Sequence, residues 1–222
     1  MLAYQTLMKK GVGEYEEKRS RFVAHAAPVY SEDDAIAYLK EIRHEGPDAR
    51  HHCYAYAIDG ETVIRRFSDD GEPTGTAGVP ILEVINKQQL TNCIIIVSRW
   101  FGGILLGTSG LIRSYGKAAS KSVEDAKVIN VRGCILTTVR IPYTLSGKID
   151  HYIIQEKILV SGTNYDTDVT IQVAIEPNQQ EVFLREITNL TSALAVVTFG
   201  ETQPIAFTKD GVFIRHERHI AV

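Results

Sequence analysis

The chain opens on two short stretches rich in apolar residues, Val12 to Tyr15 and Phe22 to Val29, which read as strands, the first followed by the charged turn Glu16-Glu17-Lys18-Arg19. Ser31-Glu32-Asp33-Asp34 then starts a helix, because Ser31 can accept a bond from a free backbone N–H three residues on and acidic residues suit the positive end of a helix. Ala35, Leu39 and Ile42 form its apolar stripe and Gly46-Pro47 ends it. His52 to Ile58 is a strand with His52, Tyr54, Tyr56 and Ile58 on one face and the small Cys53, Ala55 and Ala57 on the other, where a helix can approach closely. A hairpin turn at Asp59-Gly60 leads to a return strand, Val63 to Phe67. The stretch from Asp69 to Gly78 has no periodicity and is rich in turn residues. Pro80 to Leu90 is helical, with Ile81, Val84 and Ile85 on one side. The unbroken run Ile94 to Val97 predicts a strand buried on both faces. Gly102, Gly103 and Gly107 follow, then a helix through Leu111, Ile112, Tyr115, Ala118, Ala119 and Val123.

A second pattern begins near Gly133. Ile135 to Ile141 is a strand, and a helix runs through Ile149, Ile153 and Ile158. A short strand at Asn164 to Asp166, a strand at Val169 to Ile175, a helix at Pro177 to Leu190 and a strand at Ala195 to Phe199 complete a β-α-β-β-α-β order, the split βαβ of ferredoxin-like domains. The division expected is a first domain over 1–132, a second over 133–205 and a tail over 206–222. That tail carries Arg215, His216, Arg218 and His219 without an evident role.

Composition changes this picture little. The 222 residues are 44% hydrophobic and 23% charged, an ordinary globular balance. The longest apolar run, Cys93 to Val97, is far below the ~20 residues of a membrane helix. Charged Lys9 and Lys10 interrupt any secretory segment at the start, so a soluble, cytoplasmic protein without membrane partners is expected. Three cysteines, Cys53, Cys93 and Cys134, widely spaced and without a CxxC, exclude a disulfide framework or a four-cysteine zinc site. The net charge of -3 offers no general attraction for nucleic acid, so any polynucleotide contact needs a local patch.

Four groups of residues invite chemistry. Gly102 and Gly107 have P-loop spacing, but Thr108 and Ser109 follow where a P-loop needs Lys and then Ser or Thr. What stays open there is anion binding at a helix N-terminus, with Arg99 and Arg113 nearby, or tight backbone packing. Asp69, Asp70 and Glu72 lack the ligand spacing of a calcium loop. They read as a turn whose Asp side chains bond local backbone, in preference to a divalent-cation site, or as a surface for a basic partner. On a strand His52 and Cys53 point to opposite faces, so the imidazole cannot readily activate its neighbouring thiol, and His51 and His52 diverge. Hydrogen-bonding roles are expected for them, and no metal site, cofactor or catalytic residue is assigned. In the second half, Val169 to Ile175 carries no aromatic residue, which argues against base stacking of the RRM kind. From residue 134 onward 7 Lys and Arg stand against 10 Asp and Glu, so this half carries the whole net charge.

The strings Asp69-Asp70-Gly71-Glu72-Pro73-Thr74-Gly75-Thr76-Ala77-Gly78 with Pro80-Ile81-Leu82, Arg99-Trp100-Phe101-Gly102-Gly103 with Leu106-Gly107, Gly110-Leu111-Ile112-Arg113 and Tyr115-Gly116, and His52-Cys53-Tyr54-Ala55-Tyr56, together resemble the signature of the YigZ/IMPACT family. The resemblance implies an α+β architecture: an N-terminal α/β domain like domain 2 of ribosomal protein S5, then a ferredoxin-like domain similar to a C-terminal domain of elongation factor G. Family members commonly have Lys where Leu105 stands and Gly where Ser109 stands, which removes a candidate anion partner here. The N-terminal RWD domain of the eukaryotic members is absent, and with it the direct transfer of their role in translational control. The implied function is a non-catalytic, translation-linked regulatory binding protein that contacts RNA, the ribosome or a regulatory protein. Its binding residues would be Asp69, Asp70, Glu72, Thr74, Thr76, Arg99, Gly102, Gly103, Gly107 and Arg113. The alternative is an enzyme acting on a small anionic or phosphorylated substrate through the Asp69–Gly78 and Gly102–Gly107 loops. A third reading makes both motifs architectural, with glycines for tight turns, Pro73 and Pro80 for rigid corners and arginine for buried pairing.

Overall fold

The computed structural model describes residues 3–59, 63–208 and 212–214. The chain falls into two compact units, Tyr4–Ile129 and the part from Asn130 onward. In chain order the first unit holds β1 (Tyr4–Leu7), β2 (Gly11–Glu17), β3 (Ser20–Pro28), α1 (Glu32–Glu45), β4 (His51–Ile58), β5 (Ile64–Ser68), α2 (Gly78–Lys87), β6 (Cys93–Trp100) and α3 (Gly107–Ala126). Strands β2-β3-β6-β4-β5 form one antiparallel sheet in that order.

The centre of the sheet is β6, and its unbroken apolar sequence follows from being covered on both sides. Ile94 and Ile96 join Tyr38, Leu39 and Ile42 of α1 in one core. Cys93, Ile95 and Val97 join Ile81 and Ile85 of α2 and Leu111 and Tyr115 of α3 in the other. Burying one such isoleucine is worth roughly 1.5–3 kcal/mol. Cys53, Ala55 and Ala57 of β4 face the α2–α3 core as expected from their size. Helix α1 is capped by Ser31, whose hydroxyl accepts from the Asp34 N–H at 3.0 Å, and stops at Gly46. Helix α3 lies almost directly on β2, for a Cβ on Gly13 would sit 2.4 Å from the backbone nitrogen of Ser122.

Strand β7 (Val128–Ile141) leads into the second unit, followed by α4 (Ser146–Gln155), β8 (Leu159–Tyr165), β9 (Val169–Ile175), α5 (Gln180–Thr191), β10 (Val196–Phe207) and β11 (Phe213–Ile214). The order β7-α4-β8-β9-α5-β10 is the β-α-β-β-α-β arrangement, in an antiparallel sheet ordered β11-β10-β7-β9-β8. Ile149 and Ile153 of α4 and Phe183 and Ile187 of α5 cover the face formed by Val139, Ile141, Val169, Ile171, Val173 and Ile175. The other face of β9 presents Thr170, Gln172 and Ala174, so β9 itself supplies no aromatic ring there, while Phe213 of β11 packs against the cluster that holds Ala174.

Several boundaries differ from the sequence reading, each for a physical reason. Strand β7 begins at Val128, ahead of Ile135, because its first half pairs with the far end of β10. Helix α4 ends at Gln155, so Ile158 lies beyond it and still packs against the core. Strand β10 passes through a register break between Phe199 and Thr202 and continues to Phe207, so Ala206 and Phe207 are strand residues and not tail. They pair with Ile214 and Phe213 of β11. Gly60 of the expected hairpin turn, and Arg215, His216, Arg218 and His219, lie outside the described residues. No helix among the described residues is long and apolar enough to cross a membrane.

Candidate functional site

The segment between β5 and α2 folds back over the end of the sheet, and each of its three carboxylates is already engaged. Asp69 accepts N–H bonds from Gly75 at 2.8 Å, Ala77 at 3.0 Å and Gly78 at 2.8 Å. Its carboxylate thus occupies the free N–H groups at the start of α2, a place an external anion would otherwise suit. Asp70 accepts from Arg43 Nη2 at 2.9 Å and from the His52 backbone N–H at 2.7 Å. Glu72 turns inward, its side chain only 4% exposed, and Oε1 receives Arg99 Nη1 at 2.5 Å and the Tyr115 hydroxyl at 2.8 Å.

Arg99 reaches this position because it alternates with Val97 and Ile95 on the α2–α3 side of β6. Its guanidinium carbon lies 5.5 Å from the Phe22 ring centroid and 5.6 Å from that of Phe101. Its Nε is buried without a hydrogen-bond partner. Nearby, His51 Nε2 stands 3.9 Å from Glu72 Oε1 while its Nδ1 donates to the Asp70 carbonyl at 2.8 Å, which assigns the proton to Nδ1. The Cys53 thiol donates to the Asp69 carbonyl at 3.0 Å and lies 3.4 Å from the Tyr115 hydroxyl. Burial pushes this thiol up to about 12, with Glu72 adding to the effect. Burial likewise raises the Tyr115 phenol far above its ordinary value. At neutral pH both stay protonated, so neither is an activated nucleophile.

The remaining predicted site residues separate. Thr76 is buried and its hydroxyl donates to the Pro73 carbonyl at 2.7 Å, while Thr74 is exposed. Gly102 marks a close approach: a Cβ there would lie 2.1 Å from the backbone carbonyl carbon of Arg19. Its N–H donates to the Ser20 hydroxyl at 3.1 Å. Gly103 and Gly107 face open space. Arg113 is exposed on α3, so the two arginines paired in the sequence reading have different surroundings. His52 and Cys53 do point to opposite faces, and His52 Nδ1 meets the Ser98 hydroxyl at 2.8 Å. No group of three His, Cys, Asp or Glu side chains able to hold a metal occurs among the described residues.

The structure also assembles a surface that motif reading missed. Arg113, Lys117 and Lys121 follow one another at four-residue spacing on α3, about 6 Å apart along the axis, and all are exposed. With Lys87 and Glu83 of α2 and Tyr15 of β2 they line an open groove of about 760 Å³. Lys117 and Lys121 lie 4.9 and 5.9 Å from the Tyr15 ring centroid, which holds their stems along the surface. The sequence signal was present: a cation every fourth residue on the helix face opposite Leu111, Ala118 and Ala119.

Comparison with known proteins supplies the frame. The family described as Impact N-terminal domain matches residues 18–123, and the domain of unknown function DUF1949 matches residues 139–193. The IMPACT family member YvyE of Bacillus subtilis is 34% identical over 199 residues, covering 90% of this chain and 92% of its own. The IMPACT family member YigZ of Escherichia coli is 32% identical over 162 residues, covering 72% and 79%. The crystal structure of a hypothetical protein, 27% identical, superposes with a TM-score of 0.57 over 90% of this chain and 98% of that one. Protein IMPACT of Oryctolagus cuniculus is 36% identical over 96 residues, covering 41% of this chain and 30% of its own. With a YvyE-like relative matched over nearly its whole length and both domain families present in order, the chain belongs to the IMPACT family, in its bacterial two-domain form.

Proposed function

We propose that this protein is a non-catalytic, translation-linked binding protein that contacts RNA, in the ribosome or free, through the cationic ridge of α3. The observation that carries this reading is the ridge itself: Arg113, Lys117 and Lys121 in register, with Lys87 across the groove, paired at 3.4 Å with Glu83, the one carboxylate among the described residues that line it. Three cations on one face, without a paired carboxylate among the described residues, attract phosphates by releasing counterions even when the whole chain is acidic. In the same reading the Asp69–Gly78 loop and Arg99 are positioning elements. Their charges are spent on the helix start of α2 and on the Glu72–Arg99 pair, which favours binding over the acid–base or metal chemistry of the enzyme alternative.

The test is co-sedimentation with ribosomes, and anisotropy of a labelled RNA, across a salt series. Three phosphate contacts on a duplex give a slope of roughly -2.7 for log K against log salt, and the Arg113→Ala, Lys117→Ala, Lys121→Ala variant flattens it to near zero. An unchanged slope in the variant, or a wild type that stays soluble at low salt and binds no RNA, rejects the reading.

A further inference from the structure

The second unit contains a cavity of about 290 Å³, separate from the α3 ridge and the Glu72 cluster. It opens where α4 ends and α5 begins, beside the β7–β9 part of the sheet. Its wall is divided between apolar side chains, Ile158, Val182 and Phe183 with Tyr152 beside them, and polar ones. Two kinds of charge stand around it. Arg132 and Glu176 neutralise each other, Arg132 Nη1 lying 2.8 Å from Glu176 Oε1. The side chains of Glu156 and Lys157, by contrast, form no ion pair with any other described residue, though both line the cavity. They are adjacent at the end of α4, where Lys157 adopts a φ of 52° and so breaks away from the helical direction of Glu156. The carbonyl end of α4 adds a negative dipole end on the same side.

A chamber with one apolar side, one unspent carboxylate and one unspent ammonium matches a ligand that carries the opposite pair on an apolar body. From this we infer that the second unit binds a free apolar α-amino acid, its side chain against Ile158, Val182 and Phe183, its ammonium toward Glu156 and its carboxylate toward Lys157. Size narrows the class. The cavity equals the volume of about ten water molecules, which suits leucine, isoleucine or methionine. A buried apolar side chain with two rim charges is the general pattern of small-ligand sites.

Titration calorimetry of the full chain with L-leucine, alongside ¹⁵N–¹H correlation spectra, tests this. Saturable binding with a dissociation constant below about 10 mM is expected, with shifts concentrated at residues 156–159 and 179–183. The Glu156→Gln, Lys157→Met double variant, altering exposed side chains only, weakens binding at least about tenfold, by loss of both charge-assisted contacts. The Val182→Trp variant fills the chamber from a position that is half exposed and abolishes binding. N-acetyl-leucine, lacking the ammonium, binds at least about tenfold more weakly. Absence of saturation by any of the three amino acids overturns the inference, as does equal binding of N-acetyl-leucine or leucine binding untouched in both variants. The RNA-binding reading concerns the first unit, so either result leaves it standing.

Discussion

Replacing Glu72 with alanine leaves the Arg99 guanidinium in a site only 8% exposed, with no counter-charge and with Nε already lacking a partner. Removing one member of a buried ion pair costs about 3–5 kcal/mol, because the remaining charge cannot regain its hydration. Tyr115 loses its acceptor in the same step, although the Cys53 sulfur stays within reach at 3.4 Å. The loss for the first unit is thus about 4 kcal/mol, or roughly 15 °C in the midpoint of its own thermal transition. The decisive control removes the whole polar set together. With Glu72→Leu, Arg99→Met and Tyr115→Phe combined, no buried charge is stranded, and at least half of the lost stability returns. Chemical denaturation of the single and triple variants, followed through Trp100 on β6, reports this unit. A cost below about 1 kcal/mol for Glu72→Ala, or a triple variant no more stable than the single one, refutes the claim that the pair is buried and mutually dependent.

Three further outcomes follow from the same geometry. Gly102→Ala drives a Cβ into the Arg19 backbone and destabilises the first unit by about 1–3 kcal/mol or more, measurable by urea denaturation, whereas Gly103→Ala meets no neighbouring atom and carries only the roughly 1 kcal/mol backbone cost of a φ of 83°. Burial lowers His52 and His25 below the ordinary 6.5, so the unfolded chain takes up protons before the folded one does. Stability therefore holds above that value and falls as pH drops below about 6.5 toward the depressed folded values, and a double His25→Gln, His52→Gln variant has a flatter profile in urea midpoints between pH 7.5 and 5. Cys53 and Cys93, both pushed up to about 12 by burial, do not react with a thiol reagent at pH 8 until the protein is unfolded.

Strand and helix identities were legible wherever periodicity was strong, as in β6, α1 and α3, because burial on a given face imposes its own repeat. In sequence β10 reads only as far as Phe199, because Gly200 and Pro204 interrupt the pattern, although the chain resumes pairing after the break and Pro204 stands opposite Gly133. The site was legible in composition and not in connectivity. Asp69, Asp70 and Glu72 are neighbours in sequence, yet their partners lie in α2, α1, β6 and α3, and only the folded chain brings these together. The different surroundings of Arg99 and Arg113 were nevertheless encoded: Arg99 continues the period of Ile95 and Val97, while Arg113 continues that of Lys117 and Lys121.

That difference bears on how mutational data in this protein should be interpreted. Arg99→Ala and Arg113→Ala both remove one positive charge, but only the second removes it from a solvent-exposed surface. If binding runs along the α3 ridge, Arg113→Ala lowers affinity and reduces the salt slope by about one contact while leaving the thermal midpoint unchanged. Arg99→Ala does the reverse: it strands Glu72, lowers the midpoint, and leaves the salt slope of the surviving folded fraction at its wild-type value. Measuring slope and midpoint on both variants therefore separates a phosphate contact from a fold contact. A slope reduced by Arg99→Ala with the midpoint unchanged would place the binding surface over the Glu72 cluster and not on α3.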